Sequence, residues 1–197
     1  MKGIYNFIIE PKGERYNNTK KVGDSELILN TEIFNHHYIN REAIVVSTPI
    51  INDTDIKTGD TVIVHHNVFR RWHNVKGIEK NSASYFKDNK YIVSKDQIFA
   101  YKRDGDLKCL DGYCFVTPLK ETHCLYSDSQ SERLMGVVKH SDKNINKGDL
   151  VGFLPIDRYE FMVNGERLYR IKSNDITIKY EYQGNEKEYN PSWAESS

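Results

Sequence analysis

Apolar positions fall in short runs of four to eight residues, rich in Val, Ile, Tyr and Phe, with polar and turn-forming residues between them. Recurrence at three and four residues, the mark of an amphipathic helix, is hard to find. β-branched and aromatic runs bounded by Gly, Asn, Asp and Ser read as strands. The pattern predicts strands at 4–10, 42–48, 61–66, 90–93, 98–102, 113–119, 134–139, 150–155, 158–163, 166–171 and 177–182. The fold class is therefore all-β. "RDGDLKCLDG", residues 103–112, holds two Asp/Gly turn signals and reads as a junction. Residues 183–197 read as a polar, solvated tail, with Trp193 the one candidate for docking in it.

The order of elements repeats across that junction. "DIKTGDTVIV", residues 55–64, and "NINKGDLVGF", residues 144–153, both lead through Ile, polar residues and Gly-Asp into an apolar strand. "IYNFIIEP" and "EAIVVSTP" precede the first phrase, and "YCFVTPLK" and "LMGVVKHS" precede the second. Each half then closes on a strand, a Ser/Lys-containing turn with Asp96 or Asp175, and a last strand, in "IVSKDQIFA" and "RIKSNDITI". Two copies of one small β unit account for this order. Gly59 and Gly148 supply the positive φ of a tight turn, and Asp60 and Asp149 accept backbone N–H groups. These four residues define the fold and carry no chemistry. Asp96 and Asp175 are expected to cap the later turn in the same way.

The stretch "GDLVGF…VNGERLYRIKSNDITIKYE" resembles the C-terminal half of GroES-type co-chaperonins: a Gly-Asp turn, an apolar strand, a hairpin, a Leu-Tyr-x-Ile strand and a final Asp-Ile strand. The similarity is good over 137–180 and looser, but ordered, over 4–101. It implies two tandem GroES-like small β-barrels: 1–105, with a long loop at 12–41, and 112–182. Zinc-dependent medium-chain dehydrogenases share that barrel. Their Gly-His-Glu signature, structural cysteine cluster and Gly-rich dinucleotide fingerprint are missing here, and no nucleophile–base pair is recognisable. The expectation is no enzyme.

In co-chaperonins the loop between the first two strands carries an aliphatic triplet that docks on the apical domain of a GroEL-type chaperonin. The resemblance places Leu27, Ile28 and Leu29 in that role, inside "SELILN" and after the polar lead "NNTKKVGDSE". The competing reading packs the triplet as a strand on the barrel. The matching stretch of the second half, "ETHCLYSDSQSER", offers Cys124, Leu125 and Tyr126 but no aliphatic triplet, so the role is not carried onto it. The implied function is to help cap a chaperonin's folding chamber as part of a homo-oligomeric ring. The alternative is a structural or assembly protein, such as a phage virion component, that uses the barrels for self-association.

Composition narrows the rest. The 197 residues carry 28 basic and 28 acidic side chains, so no chain-wide basic footprint for nucleic acid exists and none is expected as a partner. "HHNVFRRWHN", residues 65–74, is a local exception. Arg70, Arg71 and Trp72 mark a surface hairpin suited to an anionic surface or nucleic acid, or simply one with alternating inward and outward residues. Cys109, Cys114 and Cys124 lack metal-ligand spacing and are odd in number, so they read as free thiols. His36–His37 and His65–His66 would point to opposite faces of strands, against a metal site. No metal or cofactor is expected. No signal-peptide pattern or bilayer-length apolar run is visible, so the expectation is a cytoplasmic protein, of the host cytoplasm if phage-encoded.

Overall fold

The computed structural model describes residues 1–16, 19–28, 38–119, 134–142, 145–154, 156, 159–163 and 166–181. Their strands are β1 (Phe7–Pro11), β2 (Thr19–Val22), β3 (Ser25–Ile28), β4 (Glu42–Ser47), β5 (Thr61–Val64), β6 (Arg71–His73), β7 (Glu79–Asn81), β8 (Tyr85–Lys87), β9 (Lys90–Val93), β10 (Ile98–Arg103), β11 (Asp106–Cys109), β12 (Tyr113–Pro118), β13 (Leu134–Ser141), β14 (Leu150–Phe153), β15 (Tyr159–Val163), β16 (Glu166–Lys172) and β17 (Ile176–Tyr180). Among the described residues there is no α-helix, only short 3₁₀ turns. The protein is all-β. It divides into two compact units, Met1–Asp106 and Leu107–Ser197, with the division inside β11.

The first sheet has seven strands in the order β8-β9-β1-β4-β5-β10-β11. In the second the order is β15-β16-β12-β13-β14-β17. The pairs along both sheets are antiparallel, and the order β8-β9-β1-β4-β5-β10 matches β15-β16-β12-β13-β14-β17, with β11 extra at the end of the first sheet. The match extends to irregularities. The register shifts between Ile8 and Ile9 where β1 meets β4, and between Phe115 and Val116 where β12 meets β13. Among the described residues neither sheet closes on itself. The two closed barrels expected from the sequence are not confirmed: among the described residues β8 and β11 end one sheet, and β15 and β17 end the other.

Burial alternates along β4 and β9, whereas β1, β5, β10, β12 and β14 bury successive residues. β4 buries Ala43, Val45 and Ser47, and β9 buries Tyr91 and Val93. Phe7 and Ile9 on β1 join them, with Ile56, Ile63 and Phe69. The second unit packs Cys114, Val116, Val138, Val151, Phe153 and Ile171 into one cluster. Burying each such aliphatic side chain gains about 1.5–3 kcal/mol.

The Gly-Asp turns are alike bond for bond. Gly59 and Gly148 both have φ of +92°, open to glycine and strained for other residues. Gly59 N–H donates to Val45 O at 2.8 Å, and Gly148 N–H to Val138 O at 2.8 Å. The Asp60 carboxylate accepts Lys57 N–H at 2.7 Å, and that of Asp149 accepts Asn146 N–H at 3.1 Å. Lys57 thus stands where Asn146 stands. The lysine is not part of what repeats; the glycine and the aspartate are.

The later turn corrects the sequence reading. His65 N–H donates to Gln97 O at 2.9 Å, and Leu154 N–H to Asp175 O at 3.0 Å. Gln97, not Asp96, is therefore the counterpart of Asp175. The Gln97 side chain closes its turn by accepting Ser94 N–H at 3.1 Å. Both turns are short and polar and are followed by Ile98 or Ile176, so sequence alone leaves the alignment open by one residue.

Candidate functional site

Residues 12–41 leave and rejoin the sheet of the first unit at a fastened base. Asn40, 4% exposed, donates through Nδ2 to Lys12 O at 2.9 Å and Glu14 O at 2.8 Å, while its Oδ1 accepts Glu42 N–H at 2.9 Å. Tyr16 and Ile39 form an isolated bridge, and both are buried. The Tyr16 hydroxyl accepts Arg71 N–H at 2.8 Å, and the Arg71 guanidinium lies 4.7 Å from the centre of the Tyr16 ring. Arg15 donates to Phe69 O at 3.1 Å and Asn81 Oδ1 at 2.8 Å. Tyr16 gave no signal in the sequence, since a lone aromatic in "ERYNN" has no apolar neighbours to set a period.

Within the same stretch lies the hairpin β2–β3, with Val22 opposite Ser25 and Lys20 opposite Leu27. Gly23, at φ +63°, and Asp24 make its two-residue turn. The stretch expected to be a plain loop is a hairpin at this point. Ser25 and Leu27 alternate onto one face, and Val22 faces Ser25, so Val22 and Leu27 share that face. They are 58% and 56% exposed. Of the expected triplet, Leu27 is exposed on β3 and Ile28 ends β3 opposite Thr19. Leu29 lies outside the described residues, as do Cys124, Leu125, Tyr126, His36, His37 and the tail from 182. Leu27 lies on strand β3 and is exposed there.

A second hairpin, β6–β7, has no counterpart between β14 and β15. Its turn is held by Asn74, whose Oδ1 accepts Lys76 N–H and Ile78 N–H, each at 3.0 Å. Arg70 and Arg71 are neighbours with different tasks. Arg71 is tied to Tyr16 and pairs with Glu79 at 3.2 Å. Arg70 is exposed and unpaired among the described residues. Trp72 is 44% exposed, Ile78 53%, and Val75 at the tip fully so. A shallow groove is lined by Asn67, Arg70, Trp72, Ser82 and Ala83. His65 and His66 lie past the end of β5, and their rings stack with centroids 4.2 Å apart. They are not divided between two strand faces, because the chain has already turned into the 3₁₀ turn His66–Val68.

Cys109 is half-buried and Cys114 buried, both as free thiols, and burial pushes the Cys114 thiol up to about 12. Thiolate chemistry is suppressed at such a group. Among the described residues no cluster of three metal-ligating side chains occurs, and no helix is long and apolar enough to cross a membrane. No known family model matches the chain, and neither does any curated protein.

Proposed function

We propose that the protein is a co-chaperonin-like binding protein, built as two tandem GroES-like units, that docks on the apical domains of a GroEL-type chaperonin through the β2–β3 hairpin and helps cap its chamber. The observation that carries the reading is the exposed pair Val22 and Leu27 on one face of the β2–β3 hairpin. Two such side chains offer roughly 3–6 kcal/mol gross on burial, before the ordering of the hairpin is subtracted. One contact of that size is weak and reversible. A homo-oligomeric ring of them gains avidity without any new contact. The setting is the cytoplasm, where chaperonins work. The test is a pull-down on immobilised chaperonin with nucleotide, followed by limited proteolysis. Retention, together with protection of residues 19–28 from cleavage, supports the reading; failure to bind removes it.

One observation favours a second reading, an assembly protein that associates with itself. Ile4, Tyr5, Ile50 and Ile51 are each more than half exposed, and backbone bonds join their segments: Ile50 N–H and Ile51 N–H both donate to Ile4 O at 3.1 Å. Concentration-dependent oligomers that dissociate in an Ile50→Asp, Ile51→Asp variant, with no chaperonin binding, would establish this reading instead.

A further inference from the structure

The chain's zero net charge hides a concentration of cations. Residues 65–95 hold seven basic side chains against two acidic ones, Glu79 and Asp88, a net +5 in a chain whose total is 0. These residues form β6 to β9 and their turns, on the first unit alone. The same stretch of chain carries two exposed aromatic rings. Trp72 is 44% exposed, and Phe86 on the edge strand β8 is 46% exposed with Lys87 5.6 Å from its ring centre. Trp72 and Arg70 line one groove with Asn67 and Ser82, which add polar edges. Neither Arg70 nor Lys80, which stands opposite Trp72, forms an ion pair among the described residues.

The geometry points to single-stranded nucleic acid as the occupant: a base stacks on Trp72 in the groove, and Arg70 and Lys80 meet the flanking phosphates. Cation, π-face and polar edge converge on one groove, which is the chemistry of a stacking platform. A duplex buries its base faces and offers nothing to the indole. An anionic membrane would use the apolar tip, Val75 and Ile78, but leaves the Asn67–Ser82 groove without a role. The reading stands apart from the β2–β3 hairpin and shares no residue with it.

The test uses full-length protein with Trp193→Phe, so that Trp72 is the one indole, and a fluorescently labelled oligothymidylate of about twenty nucleotides. The expected result is saturable binding that weakens as salt rises, with quenching of the indole emission. Trp72→Ala is expected to reduce affinity roughly tenfold or more, and Arg70→Glu to reduce it further while flattening the salt dependence. Both side chains are exposed, so thermal melts of the variants should overlay the parent. Absence of binding at low salt overturns the inference. Binding that Trp72→Ala leaves unchanged also overturns it, reducing the surface to a polycation. Capture by phosphatidylserine vesicles without oligonucleotide binding overturns it too, and assigns the hairpin to lipid.

Discussion

The two units carry the same sheet and different attachments. β1, β4, β5, β9 and β10 recur as β12, β13, β14, β16 and β17, with the same bulge and the same Gly-Asp turn. Only the first unit is described with a β2–β3 hairpin, a fastened base at Tyr16 and Asn40, and the basic β6–β7 hairpin. What repeats is what burial and backbone hydrogen bonding require. What differs is a buried base, at Tyr16 and Asn40, and the exposed hairpins of the same unit, and exposed attachments are where binding is placed on a fixed scaffold.

The first way to test this equivalence is in the cores. Ile9 and Val116 hold the same position, just past the bulge, and both are wholly buried. Ile9→Ala should destabilise by about 2–5 kcal/mol, and Val116→Ala by less, because fewer methyl groups are lost. Urea denaturation checks both. A negligible effect at either position breaks the correspondence.

A smaller effect separates the two turns. Asp60 is 7% exposed and takes two hydrogen bonds from Arg103, at 3.0 and 2.6 Å, whereas Asp149 takes Lys179 at 2.8 Å. Asp60→Ala should lower stability by about 2 kcal/mol, and Asp149→Ala by less, since Lys179 remains solvated. The Arg103 hydrogen bonds hold the Asp60 carboxyl below its ordinary 3.8, against the opposing effect of burial. Its contribution is thus complete above that value and is lost as pH falls through the folded-state pKa. Acid unfolding of Asp60→Asn should lose this component.

How far the sequence could be read follows the same division between buried and exposed. The eleven strands with an apolar run were legible because their β-branched and aromatic residues recur between turn residues, and most of them bury apolar side chains. β6, β7 and β8 were not: each has three residues, and burial imposes little alternation on Trp72, Lys80 or Phe86. β2 and β3 were hidden in polar surroundings, although Gly23–Asp24 is a turn signal that suits a hairpin. The Tyr16–Arg71 contact joins residues 55 positions apart, and no local pattern encodes it. Whether the sheets close was likewise beyond reach, because strand order is long-range information; among the described residues neither closes. Of the docking site, Leu27 was legible as an apolar residue in a polar stretch, while its partner Val22 was not singled out.

The smallest predicted effect is a titration. His140 and Ser47 hold the same position, opposite Phe115 and Ile8. Burial, with Lys147 nearby, depresses the His140 imidazole below its ordinary 6.5 despite Glu166. A depressed folded-state pKa means that protonation favours the unfolded chain. Stability is therefore complete above 6.5 and declines as pH falls from there to the folded value. His140→Ser should remove that decline, as seen in melting temperatures between pH 7 and 5.

The most direct test concerns the attachment that distinguishes the first unit. Leu27→Asp places a carboxylate on the exposed face of β3, where burial in an apolar groove would carry a desolvation penalty of several kcal/mol. Binding to immobilised GroEL-type chaperonin should be abolished, with the melting temperature within a degree or so of the parent, since an exposed residue contributes little to the fold. Unchanged binding by a folded Leu27→Asp protein would contradict the account, and so would a large fall in melting temperature, which would make Leu27 part of the scaffold.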